Sequence, residues 1–326
     1  MKKILALLLA LWIPAAVLSG CAPQDDSAAS NKLNIVTTIF PAYDWVREIL
    51  GDETDRAEIT TLLDSGVDLH SYQPTVDDIV KISDCDLFLY VGGESDGWVE
   101  DALKNAPNKE RKVIRLLDVL GDSAKAEETV EGMQEEEHDH EEEAEYDEHI
   151  WLSLKNAQVL VAAISEALQE SDPARKDTYA ANAAAYVEKL SALDGEYRAA
   201  VDSGKYKTLL FGDRFPFRYL ADDYGLDYYA AFPGCSAETE ASFETVSFLA
   251  GKMDALGLPC VLAIEGTQHK IAETIVQNTA QKNQQILTMD SMQAVTANDA
   301  ASGVSYLSIM EKNLSVLKKA LGQEAE

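Results

Sequence analysis

The chain has 326 residues, a hydrophobic share of 46% and a net charge of −30, from 57 acids against 27 bases. That length accommodates two ordinary domains and their cores. The acidic balance argues against nucleic acid and anionic membrane surfaces as partners and favours cations.

Thirteen of the acids lie in one stretch, 127–151, which reads EETVEGMQEEEHDHEEEAEYDEHIW. The stretch holds no Lys or Arg and three of the five histidines, His138, His140 and His149. Taking those 13 charges from −30 leaves −17, so the body is acidic without being extreme.

At the N-terminus Lys2 and Lys3 precede an apolar run over 4–17 that Pro14 interrupts, followed by Leu18-Ser19-Gly20-Cys21. Small residues before a Cys at this depth read as a lipoprotein signal over 1–20, with cleavage making Cys21 the lipidated first residue. The run is too short to span a bilayer as a helix. Residues 21–32 form a polar tether. The expected location is the extracytoplasmic face of the cell membrane, held by lipid.

Cys85, Cys235 and Cys260 allow at most one internal disulfide, with no basis in sequence for choosing the pair. There is no CxxC, which removes thioredoxin-like and zinc-ribbon readings.

In chain order, strands are expected at 33–38, 59–63, 86–91 and 113–117, with helices at 43–50, 75–81 and 98–104 between them. Phe40-Pro41 is read as a breaker, and Thr75 as the cap of its helix. Over 121–148 the apolar periodicity stops, so this stretch is expected to be disordered or loosely tethered. A helix over 154–168 follows. The stripe Pro173, Tyr179, Ala183, Tyr186, Leu190, Leu193, Tyr197 marks one helix to about 200, near 40 Å long at 1.5 Å per residue.

The alternation then restarts, with strands at 208–211, 226–231, 261–265 and 285–288. The helices between and after them are 217–224, 243–256, 271–280 and 306–321. Strand–helix alternation implies parallel sheets. The expected fold is α/β, two βα domains joined by one long rigid helix. An N-terminal domain would span 33–171 with the acidic loop at 122–148, the linking helix 172–201, and a C-terminal domain 202–326.

Ligands of open parallel sheets sit beyond the carboxyl ends of strands, and His70, Arg214, Glu265 and Asp290 all fall there. A borderline cation such as Zn²⁺ takes imidazole nitrogen and carboxylate oxygen in a tetrahedral shell. His70 and His149 are the histidines placed in ordered loops beside apolar cores. His138 and His140 read as a loose accessory collector of cations. Cys235 follows a strand, in Phe232-Pro233-Gly234-Cys235-Ser236, and a thiolate suits zinc. His269 is expected to face solvent at a helix start, and Trp151 to pack beside His149.

At these residues the chain resembles the zinc- and manganese-binding solute-binding proteins of bacterial metal ABC transporters. The resemblance rests on Asp68-Leu69-His70-Ser71-Tyr72-Gln73-Pro74 with Asp77-Asp78, and on Asp147-Glu148-His149-Ile150-Trp151-Leu152. It continues through Asp172-Pro173 with Tyr179 and Asn182-Ala183, Phe217-Arg218-Tyr219-Leu220, and Gly303-Val304-Ser305-Tyr306-Leu307. An acidic His-containing loop before the second ligand is more typical of the zinc members.

The resemblance implies a metal site in the interdomain cleft. His70 and His149 would be the first two ligands and Asp290 the acidic fourth. The third position falls on Arg214, which cannot ligate a cation. Asp213 is the nearest substitute, with Glu265, Cys235, Glu238 or a water as further candidates.

The implied function is capture of Zn²⁺ and its delivery to the permease of an ABC importer by a monomeric, lipid-anchored binding protein. It would be no enzyme and bind no nucleic acid. Manganese in place of zinc is the alternative within that class. A secreted zinc-dependent hydrolase is the alternative outside it, although HExxH and nucleophile-elbow motifs are absent.

Overall fold

The computed structural model describes residues 32–104, 106–134, 145–236, 240–266 and 268–323. Cys21, His138, His140 and Glu238 lie outside the described residues. Among the described residues, eight strands form two four-stranded parallel sheets. In the first, β1 (Leu33–Thr37) lies between β2 (Ala57–Thr61) and β3 (Leu87–Tyr90), and β4 (Lys112–Arg115) closes the far edge. In the second, β5 (Thr208–Phe215) and β7 (Cys260–Ala263) are central, flanked by β6 (Asp227–Pro233) and β8 (Gln285–Thr288). The strand order 2-1-3-4 of the first sheet recurs as 6-5-7-8 in the second.

The helices α1 (Phe40–Leu50), α2 (Val76–Asp84) and α3 (Val99–Lys104) connect the first sheet's strands, and α4 (Leu116–Leu120) follows β4 directly. Pro41 does not end order; it occupies the first turn of α1, where a missing N–H costs nothing. Thr75 caps α2 as expected, in a reciprocal pair with Asp78: Thr75 Oγ1 accepts from Asp78 N at 3.2 Å and Asp78 Oδ2 accepts from Thr75 N at 3.0 Å.

Next come α5 (Leu154–Ser171) and α6 (Lys176–Ser203), the latter 28 residues long as the stripe predicted. Its Tyr179, Ala183, Tyr186, Leu190, Leu193 and Tyr197 are all buried. They pack against α1, α5 and α11 (Tyr306–Ala320), so the long helix is embedded rather than free-standing. The second half adds α7 (Arg218–Tyr224), α8 (Phe243–Leu256), α9 (Lys270–Asn278) and the short α10 (Ala297–Ala301). One large apolar core contains residues of both sheets, from Ile35 and Phe88 to Phe211 and Leu262. A smaller cluster lies around β6 and α8. Trp151 ties the halves together by donating from Nε1 to Ser291 O at 2.8 Å.

The acidic stretch departs from expectation in its described parts. Residues 121–134 and 145–148 are placed, as two arms bridged between Ala126 and Tyr146. Glu127 N donates to Glu145 O at 2.8 Å and Asp147 N to Lys125 O at 2.9 Å. The arms also grip the second half: Lys125 N donates to Tyr219 Oη, Gln134 N to Ala231 O, and Arg218 pairs with Glu128. Backbone hydrogen bonds and ion pairs give this segment its order, together with Val130 and Met133, which pack into the apolar core. Among the described residues no helix is long and apolar enough to cross a membrane.

Candidate metal centre

The loop after β2 turns through Leu69–Ser71, a short helical turn whose N-cap Asp68 accepts from His70 N at 3.0 Å. This turn aims His70 inward, with its side chain 7% exposed. His149 precedes another such turn, Ile150–Leu152, and is fully buried. The two imidazoles meet tip to tip, with Nε2 to Nε2 at 3.2 Å. A tetrahedral zinc bound at about 2.0–2.1 Å from each nitrogen would hold them about 3.3–3.4 Å apart.

What faces the other ring nitrogens explains the orientation. Asp147 Oδ1 accepts from His149 N at 2.8 Å and lies 2.9 Å from His149 Nδ1. His70 Nδ1 lies 2.9 Å from Ser95 Oγ and 3.4 Å from Glu148 Oε2. Glu148 Oε1 in turn accepts from Ser95 N at 2.8 Å. Two consecutive carboxylates, Asp147 and Glu148, thus each face one imidazole's Nδ1 and leave both Nε2 atoms for the shared space between them. Gly93 makes room for this: a Cβ there would lie 2.0 Å from Glu148 Oε1.

Burial and its neighbour His149 push the His70 pKa down to about 3. Burial acts against protonating His149 as well, but the Asp147 carboxylate outweighs it and leaves that pKa above the ordinary imidazole value. Burial raises Glu148 to about 7. Two bare Nε2 lone pairs at this separation repel, and a single proton or a single cation between them removes the repulsion.

Among the described residues, one set of three metal-competent side chains converges: His70, His149 and Cys235, with ligand atoms all within 4.8 Å of one another. The expected Asp213 and Asp290 are not in it. Both carboxylates are turned onto backbone amides. Asp213 Oδ1 accepts from Arg214 N at 2.9 Å and Oδ2 from Ile264 N, while Asp290 Oδ1 accepts from Met292 N at 2.8 Å. Burial raises the pKa of Asp213, and that of Asp290 to about 6. Glu265 is likewise spent, accepting from Ser291 N, Ser291 Oγ and Gln293 N.

Arg214 stands in β5 and reaches across to Asp68, Nη2 to Oδ2 at 2.5 Å. Sequence reasoning placed Arg214 at the third ligand position but did not find its partner, and it did not assign roles to Ser95, Asp147 and Glu148. The histidine at 149 with two carboxylates immediately before it was the available signal for the last two. His269 is half-buried, just before α9, rather than out in solvent. Cys85, Cys235 and Cys260 are all free thiols. A cleft of about 820 Å³ opens beside the imidazoles, lined by Glu94, Glu127, Glu145 and Glu148 among others, so its walls are acidic.

Similarity to known proteins identifies the family. The family profile described as "ZnuA: Zinc-uptake complex component A periplasmic" matches residues 35–320. The zinc-binding lipoprotein AdcA of Streptococcus pneumoniae is 34% identical over 329 residues, covering 99% of this chain. The chain spans 62% of that relative's length. The high-affinity zinc uptake system protein ZnuA of Bacillus subtilis is 29% identical, covering 89% of this chain and 88% of the relative. Among solved structures, the Zn(II)-bound ZnuA-like domain of Streptococcus pneumoniae AdcA superposes with a TM-score of 0.69 at 30% identity, covering 90% of this chain and all of that one. With two facing imidazoles buried beside an acidic cleft and a family match running through both sheets, the chain belongs to the ZnuA family of zinc-uptake components.

Proposed function

We propose that this chain captures Zn²⁺ outside the cytoplasmic membrane and delivers it to the permease of an ABC importer. The chemistry is coordination, and no bond of a substrate is made or broken. The observation that carries this reading is the pair of Nε2 atoms 3.2 Å apart, each ring backed by its own carboxylate. A divalent cation at that point replaces a repulsion between lone pairs with two bonds. Relatives named as zinc-binding and zinc-uptake proteins support the choice of metal and the importer partner. In this reading the halves 33–171 and 202–326, joined by 172–201, hold the cation between them. The protein acts as a monomer anchored by lipid at Cys21, and His138 and His140 serve as an accessory collector of cations.

The test is a zinc titration against a competing chelator, comparing the unmodified protein with His70→Ala and His149→Ala. Each substitution should abolish high-affinity binding while the helical content is retained. Unchanged affinity in either variant would overturn the assignment. Manganese competing as well as zinc would shift the reading to its manganese alternative, and hydrolysis of model esters by the zinc form would favour an enzyme.

A further inference from the structure

Cys235 sits where the two halves meet, on the loop that follows β6. Its sulfur lies within 4.8 Å of the ligand atoms of both His70 and His149. Three independent contacts hold that loop against the imidazoles. Cys235 N donates to Glu127 Oε1 at 2.8 Å, so the acidic arm fixes the backbone. Ser236 O accepts from Arg214 Nη1 at 3.3 Å, while the same guanidinium is drawn by its other nitrogen to Asp68. Gly234 lets the backbone pass close to the ring: a Cβ there would lie 3.2 Å from His149 Nδ1 and 2.9 Å from Phe215 O. The strand position that cannot donate to a cation, Arg214, therefore serves to brace the loop carrying a residue that can.

We propose that Cys235 Sγ is the third protein donor, making the centre a two-imidazole, one-thiolate site that accepts zinc and rejects manganese. The proposal rests on the capture function above and identifies the donor that reading leaves open. A tetrahedral zinc at about 2.3 Å from sulfur and about 2.0–2.1 Å from nitrogen sets sulfur–nitrogen separations near 3.6 Å. From a present separation within 4.8 Å, a movement of about 1.2 Å or less by the loop brings the sulfur to that distance, and a water takes the fourth position. The thiol proton passes to solvent as the sulfur–zinc bond forms, because only the thiolate ligates. Two neutral imidazoles and one thiolate leave the bound centre with a single positive charge, and Asp68 neutralises the nearby Arg214. Thiolate donors suit zinc and other soft or borderline cations, whereas manganese prefers oxygen.

The experiment uses Co²⁺ as a spectroscopic stand-in and Zn²⁺ as the ligand, on the unmodified chain, Cys235→Ser and His149→Ala. The cobalt form of the unmodified protein should show an intense near-ultraviolet thiolate-to-cobalt band, absent from Cys235→Ser. Zinc should bind Cys235→Ser at least about 10- to 100-fold more weakly, no less than the loss typical of disturbed outer-shell partners. Manganese should fail to displace cobalt. A further measurement avoids mutation: zinc should protect Cys235 from alkylation by iodoacetamide, as mapped by mass spectrometry. A cobalt spectrum without the thiolate band, or Cys235 alkylated equally with and without zinc, overturns the proposal. If His149→Ala still abolishes binding in that case, the capture site stands and only its third donor is wrong. If His149→Ala also binds normally, the capture reading itself falls.

Discussion

Asp147 offers the sharpest test of how the imidazoles are held. One oxygen, Oδ1, accepts the His149 backbone N–H at 2.8 Å and faces the ring Nδ1 at 2.9 Å, in a side chain 2% exposed. The substitution Asp147→Asn keeps the shape. The backbone N–H still demands an oxygen at that point, so the amide should orient its oxygen toward His149 and preserve the tautomer. What is lost is charge. Hydrogen bonds to charged groups contribute about 1.5–3 kcal/mol and neutral ones about 0.5–1.5 kcal/mol. The difference, roughly 1–1.5 kcal/mol at the ring contact, corresponds to zinc binding about tenfold weaker.

Asp147→Ala is different in kind, because it strands both donors. The backbone contact is made with or without zinc, so its loss should lower folding stability by about 1–3 kcal/mol. The ring contact strengthens when the imidazole binds a cation, so its loss should weaken zinc binding on the order of 100-fold. Isothermal titration with a competing chelator reads the affinities, and urea melts of the zinc-free proteins read the stabilities. Asn behaving like the unmodified protein would refute the electrostatic argument. Asn behaving like His149→Ala would refute the orientation argument.

The other expectations can be stated together. Zinc affinity should begin to fall as pH drops through the raised His149 pKa, on the alkaline side of the free imidazole value, because a proton then competes for Nε2. His70, held near 3, should add nothing to that decline in the ordinary range. Equal affinities at about pH 8 and about pH 5 would contradict this. Asp68→Asn leaves the Arg214 charge unpaired beside the site and should weaken zinc binding about tenfold. Adding Arg214→Gln should recover most of the loss, and a double-mutant cycle without coupling would exclude the pairing argument. Deleting 135–144 should slow metal capture in stopped-flow measurements and leave the equilibrium affinity near that of the full chain. A longer deletion reaching Asp147 should cripple the site, because it removes the residue that orients His149.

Much of the architecture could be read from period and punctuation. The stripe from Tyr179 to Tyr197 announced the long helix, and Thr75 announced the start of α2. These signals are local, and local geometry obeys them. The order of the acidic arms was not legible. It comes from partners about 70–110 residues away in sequence, such as Tyr219 for Lys125 and Ala231 for Gln134, which no periodicity encodes. The centre divides in the same way. His70 and His149 stood out because each adjoins an ordered apolar element. Asp213 and Asp290 looked equally suited by residue type, but Asp213 accepts from the backbone amides of Arg214 and Ile264, and Asp290 Oδ1 from that of Met292. Cys235 was visible only as a thiol after a strand; its approach to the imidazoles depends on Arg214 reaching across to Asp68, a pairing over 146 residues.

The continuity of the apolar core beneath both sheets has a thermodynamic corollary. Tyr197 donates to Met310 O at 2.6 Å and Tyr306 to Trp151 O at 2.7 Å, so α6, α11 and the turn after His149 lock one another within a single interior. Heat cannot melt one sheet and spare the other. Calorimetry should show one cooperative endotherm, and cargo bound at the seam should stabilise both halves together. At a thousandfold excess of free zinc over its dissociation constant, that linkage is worth about 4 kcal/mol. The temperature at which the whole molecule unfolds then becomes a readout of whether it is loaded.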